Sequence, residues 1–169
     1  MHQSPNINRF VLIIISLLIA IATVLDIWLN PRPLVTWNAS QSVPIGWYYV
    51  EHRQSKLHEI AVLKPPAWAQ LIADQRHYLP SFSWLLKPVA AEQGAVVCRF
   101  GRQVFINAKP VARAHLRDKL GRILPRWKGC RVLQQGQIFL LSRHLDSFDS
   151  RYFGPVDSTL IIGTARFVF

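Results

Sequence analysis

From residue 10 to residue 29 the chain is apolar almost without a break: FVLIIISLLIAIATVLDIWL is interrupted only by Ser16, Thr23 and Asp26. At about 1.5 Å per residue, such a helix matches a hydrocarbon core of about 30 Å. Two readings fit the stretch, a cleavable leader and a retained anchor. The small-x-small string AIA at 20–22 suits a cleavage site. The apolar run continues past it to Leu29, and only Arg9 precedes it as a basic flank, which favours an uncleaved anchor over 10–29 with Asp26 near its outer end. The next segment, NPRPLVTW at 30–37, carries two prolines and reads as a short stiff linker. Beyond it the pattern is one of short β-branched and aromatic runs bounded by Gly, Pro, Asn or Asp. GWYYVE, HEIAVLK, WLLKPVAA, GAVVCRF, QVFINAKPV, GQIFLLS and STLIIGTARFVF predict an antiparallel, mainly β domain, curled or barrel-like. One exception is PAWAQLIADQRHYL at 66–79, where Trp68, Leu71, Ile72 and Leu79 recur at helical spacing.

Length and composition fit a single domain with an appended segment: 169 residues, half of them hydrophobic. Twenty Lys and Arg against nine Asp and Glu give a formal charge of +11, a balance that favours acidic partners. The densest basic stretch, RAHLRDKLGRILPRWKGC, holds Arg113, Arg117, Lys119, Arg122, Arg126 and Lys128. It reads as a solvated loop, or as a contact for membrane lipid headgroups or an acidic protein. Nothing resembles a groove-reading element or a run of stacking aromatics, so no nucleic acid is expected as a partner. Cys98 and Cys130 fit either a disulfide, if the domain faces an oxidising compartment, or two buried thiols.

Three places carry candidate chemistry. In NASQSVPIG, from residue 38, Pro44 fixes φ and Gly46 permits positive φ, so the chain bends just after Ser42. The bend is either a plain turn or a mount for a nucleophile. Lys87 stands in the apolar run SWLLKPVAA, where burial would push its amine toward the neutral, proton-accepting form; a strand-edge lysine reaching water is the alternative. In SFDSRYFGP, Ser147, Asp149 and Arg151 crowd together before Phe-Gly-Pro. The six histidines and two cysteines have no metal-ligand spacing and the glycines form no phosphate loop, so neither metal nor cofactor is expected.

The last string closely resembles the final box of type I signal peptidases, and the resemblance extends over residues 38–169. SQSVPIG is similar to the family's nucleophile box, and LLKPVAA followed by GAVV to its lysine box, with Gly94-Ala95 where Gly-Asp is usual. VFINAKPV is similar to the following strand, with Asn107-Ala108 where Asn-Gly is common, and His58-Glu59 stands where a Gly-Asp turn is frequent. GRILPRW, GQIFLLS and SFDSRYFGPV in that order resemble more narrowly the TraF-like conjugative transfer peptidases, single-anchor members without a large second domain. The resemblance implies a signal-peptidase-type β domain over 38–169, anchored by 10–29 in the bacterial inner membrane, with residues 1–9 cytoplasmic and the catalytic domain periplasmic. It implies Ser42 as nucleophile and Lys87 as general base, a known variant of triad logic. It further implies Ser40 as an oxyanion donor, Ser147 as the group that orients the lysine, and Asp149 with Arg151 as a brace. The implied substrate is an exported precursor, most narrowly a conjugative pilin, cut and released by water or joined to an amine to give a cyclic product. Other proteins of the conjugation machinery are implied as partners. A general Sec-pathway signal peptidase shares the chemistry; a catalytically inactive anchored binding module would need none of Ser40, Ser42, Lys87 and Asp149.

Overall fold

The structure, a computed structural model, describes residues 5–29, 34–78 and 84–169. The chain divides into two units, residues 1–33 and 34–169. The first contains helix α1, Pro5–Leu29. Its side chains from Phe10 to Leu25 are exposed, whereas that of Asp26 lies outside the described residues. Among the described residues no helix is long and apolar enough to cross a membrane, so the fold does not establish the expected span.

The second unit is β throughout its frame. A seven-stranded sheet contains β1 (Val35–Asn38), β2 (Gly46–Glu51), β3 (Ile60–Leu63), β4 (Leu85–Ala91), β9 (Gln137–Leu140), β10 (Val156–Asp157) and β11 (Ile161–Phe167). Its order is β1-β2-β11-β3-β4-β9-β10, so the last strand of the chain is inserted between the second and third. A four-stranded sheet, β7-β6-β5-β8, is built from β5 (Val96–Phe100), β6 (Gln103–Ile106), β7 (Lys109–Arg113) and β8 (Gly129–Val132). All named pairings are antiparallel. Burial follows the two-residue period expected of a half-buried strand: in β2, Tyr48 and Val50 are buried while Trp47 and Tyr49 face out.

The large sheet separates two apolar clusters. Leu63, Leu85, Val89, Leu140 and Tyr152 belong to one, and Tyr48, Val50, Val62, Leu86 and Ala165 to the other. A third cluster, with Val97, Val104 and Phe139, lies under the small sheet. Cys98 and Cys130, direct partners across β5 and β8, are joined by a disulfide.

Several details differ from the sequence reading. Residues 35–37, expected to lie in the linker, belong to β1, which pairs Val35 with Tyr49 and Asn38 with Gly46; residues 30–33 lie outside the described residues. The prolines at 31 and 33 hide this strand, and its apolar Val35 and Trp37 face outward, so it lacks the usual alternation. The run QVFINAKPV is two strands. Asn107 and Ala108 both have positive φ, 48° and 62°, and form the tight turn of a β6–β7 hairpin. The expected helix over 66–79 is α2, Ala67–Gln75, and Leu79 lies outside the described residues. A single helical turn, α3, Ser150–Phe153, follows the Ser147–Asp149 segment.

Candidate active site

Residues 39–45 form the loop of the β1–β2 hairpin, and Ser42 is at its turn. Asn38 shapes the loop from below. Its amide donates to the carbonyls of Ser40, Val43 and Pro44 at 2.7, 2.9 and 3.0 Å, and its Oδ1 accepts from Ser40 N and Ser40 Oγ. One buried side chain thus replaces the ladder bonds that the bend gives up. Tyr48 Oη donates to Pro44 O at 2.8 Å, and Ser142 Oγ donates to Ser42 O at 2.6 Å. Gly46 closes the loop where no other residue fits: at φ 149°, an added Cβ would lie 2.4 Å from Phe169 O.

Lys87 is central in β4, opposite Ala61 of β3, on the face shared by Leu85 and Val89. Only 3% of it is exposed. Its Nζ donates to Ser42 Oγ, and to Ser147 Oγ at 2.8 Å; the two hydroxyls are 3.2 Å apart. Burial pushes the amine down to about 8, partly countered by the nearby Asp149 carboxylate, which raises it, while Arg151 lowers it further. Two hydroxyls from distant stretches of sequence therefore converge on a lysine whose amine burial has made much easier to deprotonate.

Ser147 is held by the segment that follows it. Asp149 caps α3 by accepting from Arg151 N at 3.1 Å, and its carboxylate takes two bonds from the Arg151 guanidinium, 2.8 and 3.0 Å. Both side chains are buried. Asp149 Oδ2 also accepts from Ser142 N at 3.0 Å, and Arg151 donates to the carbonyls of Ser142 and Leu145. This network joins the Ser147 segment to Ser142, and Ser142 in turn grips the Ser42 carbonyl. From β5 of the small sheet the buried Arg99 donates to Arg151 O, and Trp127, in the segment before β8, donates from Nε1 to Ser150 O at 3.0 Å.

The expected residues Ser42, Lys87 and Ser147 thus meet, with Asp149 and Arg151 paired behind them. Ser40 lines the same cleft, but its hydroxyl is turned onto Asn38. Cys98 and Cys130 lie elsewhere, in the small sheet. Sequence reasoning passed over Asn38, Ser142, Arg99 and Trp127. Asn38 begins the quoted bend and could have been weighed as an Asx-type loop former; the other three act on carbonyls remote in sequence and leave no local signal.

A cleft of about 570 Å3 opens on Ser40, Ser42, Lys87 and Ser147. Its far wall is part of the basic segment, where three of the six cations make contacts within the fold. Arg122 and Tyr78 donate to Asp118, Arg117 donates to Gly121 O, and Lys119 pairs with Asp146 at 3.0 Å. Burial would raise the Asp118 carboxyl, but these hydrogen bonds and those from the Arg122 and Leu120 amides hold it well below the usual range. Arg117, Lys119 and Arg122 of this segment thus form part of the cleft wall. Among the described residues no cluster of His, Cys, Asp and Glu is arranged to hold a metal ion.

The model of the family described as signal peptidase, peptidase S26, matches residues 7–169. The conjugal transfer protein TraF of Agrobacterium fabrum (strain C58) is 32% identical over 149 residues, covering 78% of this chain and 80% of that protein. A probable conjugal transfer protein TraF of Sinorhizobium fredii (strain NBRC 101917 / NGR234) is 30% identical, covering 87% and 81%. A signal peptidase I from Enterococcus faecalis V583, solved by crystallography, is 16% identical with a TM-score of 0.38, over 68% of this chain and 98% of that one. The chain belongs to the signal peptidases of family S26, and it is a TraF-like serine peptidase.

Proposed function

We propose that this protein is a membrane-anchored endopeptidase in which Ser42 is the nucleophile and Lys87 the general base, and that its substrate is an exported, pilin-like precursor of a conjugation system. The observation that carries the reading is the buried Lys87 amine, bonded to both Ser42 Oγ and Ser147 Oγ. A serine hydroxyl is a weak nucleophile until an adjacent base takes its proton. Neutral Lys87 takes it as Ser42 Oγ attacks the scissile carbonyl. The resulting ammonium then protonates the leaving amine, and an acyl-serine ester remains. Water attacks that ester, Lys87 again taking the proton, and free serine returns; attack by an amine would give a new amide, and with the precursor's own amine a cyclic product. Ser147 keeps the lysine lone pair aimed at Ser42. The Ser42 N–H and the Ser40 hydroxyl, once it swings off Asn38, are the donors for the oxyanion. Asp149 and Arg151 brace the site without carrying a proton.

The conjugation role rests on the names of the TraF relatives. The anchor rests on the apolar sequence 10–29 and on the exposed aromatics Trp37, Trp47 and Tyr49 of the first two strands, residues that favour the membrane interface. In this reading the β unit faces the periplasm, an oxidising compartment that suits the Cys98–Cys130 disulfide.

Full-length protein in micelles is incubated with pilin precursors and the products are read by mass. Ser42→Ala and Lys87→Arg should each lose cleavage by at least about 1,000-fold, and the double variant should be no worse, because the two groups act as a unit. Near wild-type cleavage by folded Lys87→Arg would end the serine-lysine reading, since a guanidinium takes no proton at accessible pH.

A further inference from the structure

Among the described residues two arginines are almost fully buried, Arg99 and Arg151, each 1% exposed. Arg151 has Asp149 beside it, whereas Arg99 is paired with no described carboxylate. Its guanidinium donates instead to carbonyls of three segments: Gly101 O at 3.2 Å, Pro125 O at 3.4 Å, and Arg151 O. It also lies 5.9 Å from the centre of the Tyr152 ring. A buried cation without a counter-charge is costly, and an aliphatic side chain would fill the same place at less cost. What Arg99 grips accounts for it. Helix α3 is a single turn, Ser150–Phe153, too short to hold its own shape. It is held from outside: Arg99 meets Arg151 O, and Trp127 Nε1 meets Ser150 O at 3.0 Å. From β9, Leu140 N donates to Ser150 Oγ at 3.0 Å. Arg99 is itself fixed within its sheet, paired with Val104 of β6 on one side and Gly129 of β8 on the other.

We infer that Arg99 is a positioning residue of the peptidase: from the small sheet it fixes the α3 turn and, through that turn, the Asp149–Arg151 pair and Ser147 against Lys87. The inference rests on Ser42 and Lys87 being nucleophile and base. Every link in the path is a hydrogen bond or a neighbour in the chain. Arg99 holds the Arg151 carbonyl, and the Arg151 guanidinium binds Asp149 and the carbonyls of Ser142 and Leu145. Ser147, two residues before Asp149, accepts from the Lys87 amine at 2.8 Å. A shift of this segment leaves β4 and the Ser42 loop in place but lets the amine turn away from Ser42. A misplacement of about 1 Å suffices to slow chemistry as much as about a hundredfold. It also opens the surroundings of the amine to water. Burial is the largest cause of the lowered Lys87 amine, so partial rehydration returns it toward its free value. The charged groups that face it, Asp149 and Arg151, act in opposite senses and move with the same segment. The loss of Arg99 therefore falls on turnover and its pH dependence, not on substrate binding.

The test compares full-length wild-type, Arg99→Met and Arg99→Lys proteins in micelles on one precursor that the wild-type protein cleaves. Lys109→Met, exposed on β7 of the same sheet, is the control and should match the wild type throughout. Arg99→Met should lower kcat by about tenfold or more while KM stays within about twofold. The half-maximal point of its rate–pH curve should move above pH 8. Arg99→Lys keeps the cation but reaches fewer carbonyls, so it should fall between the two. It decides the question if the Met variant does not fold. Acylation of Ser42 by a small activated ester, read by intact mass, should slow in the Arg99 variants as well, because the defect lies in the Ser42–Lys87 pair and not in the seat of the substrate. Folded Arg99 variants that lose stability in urea yet keep the wild-type kcat and pH curve overturn the inference, as does a loss that appears in KM alone. In either case Arg99 serves the fold and not the chemistry. If wild-type Ser42 is not acylated and Ser42→Ala still cleaves the precursor, the nucleophile reading falls first.

Discussion

A lysine in an apolar strand is costly, and the cost is what makes it useful. In the unfolded chain Lys87 holds its proton up to about 10.5, whereas in the fold burial brings it down to about 8. Between those values the unfolded state binds more protons, so stability rises with pH across the window, and below it the fold carries the full penalty, on the order of 3 kcal/mol. Two outcomes follow. Cleavage should increase with pH and reach half its maximum near pH 8, as initial rates across pH 6–10 will show. Lys87→Met should be inactive yet more stable at pH 7, by about 2 kcal/mol in urea titration, because it removes a buried cation and keeps the packing volume. Asp149 acts in the opposite sense on both counts. Asp149→Asn leaves the Arg151 guanidinium buried without its partner, a loss of about 3 kcal/mol. It also removes the carboxylate that raises the Lys87 amine, so the acid limb of the rate profile should move to lower pH. Of these residues, Ser42 and Lys87 stand out in strings odd for their setting, whereas Ser147 is singled out only by the resemblance to signal peptidases. Ser142 was not legible, because it works through a backbone carbonyl a hundred residues away that only the folded chain brings near.

At the scale of elements, the strands that the sequence announced are those with a buried, β-branched side. GWYYVE is β2 residue for residue, and LLKPVAA is β4. Those it concealed, β1, β8 and β10, are short, outward-facing or polar, and each is specified by the neighbour it pairs with rather than by its own residues. Asn107-Ala108, in place of Asn-Gly, keeps its tight turn with alanine at positive φ, so the departure from the family pattern changes the residue and not the hairpin. The disulfide links β5 to β8 and closes a loop over 32 positions. Replacing Cys98 and Cys130 together with alanine should lower stability by about 3 to 4 kcal/mol by chemical denaturation. Ser42 and Lys87 belong to the other sheet, so turnover by the folded variant should be retained within about twofold.

At the scale of the whole molecule, sequence pattern identified a β domain but not its division into two sheets, nor the strand order within them. Period and propensity describe single strands, and pairing is decided by long-range fit. The last strand is the example. β11 pairs with β2 on one side and β3 on the other, and beyond it Phe169 O accepts from Trp47 N while Val168 N donates to Trp47 O. Residues 168 and 169 therefore lie against the base of the loop that carries Ser42. Gly46→Ala would force Cβ into that contact, and it should cost at least about 2 kcal/mol and reduce turnover more than it reduces substrate affinity. The same arrangement sets an order of events. A polypeptide is made from its first residue to its last, so Ser42 and Lys87 exist long before the strand that joins their halves of the sheet. Until residues 161–169 have been made, β2 and β3 have no common neighbour, and the loop that carries Ser42 lacks the hydrogen bonds at its base. The loop of Ser42 is thus finished not by its neighbours in sequence but by residues more than a hundred positions away, and it takes its final shape only when they are in place.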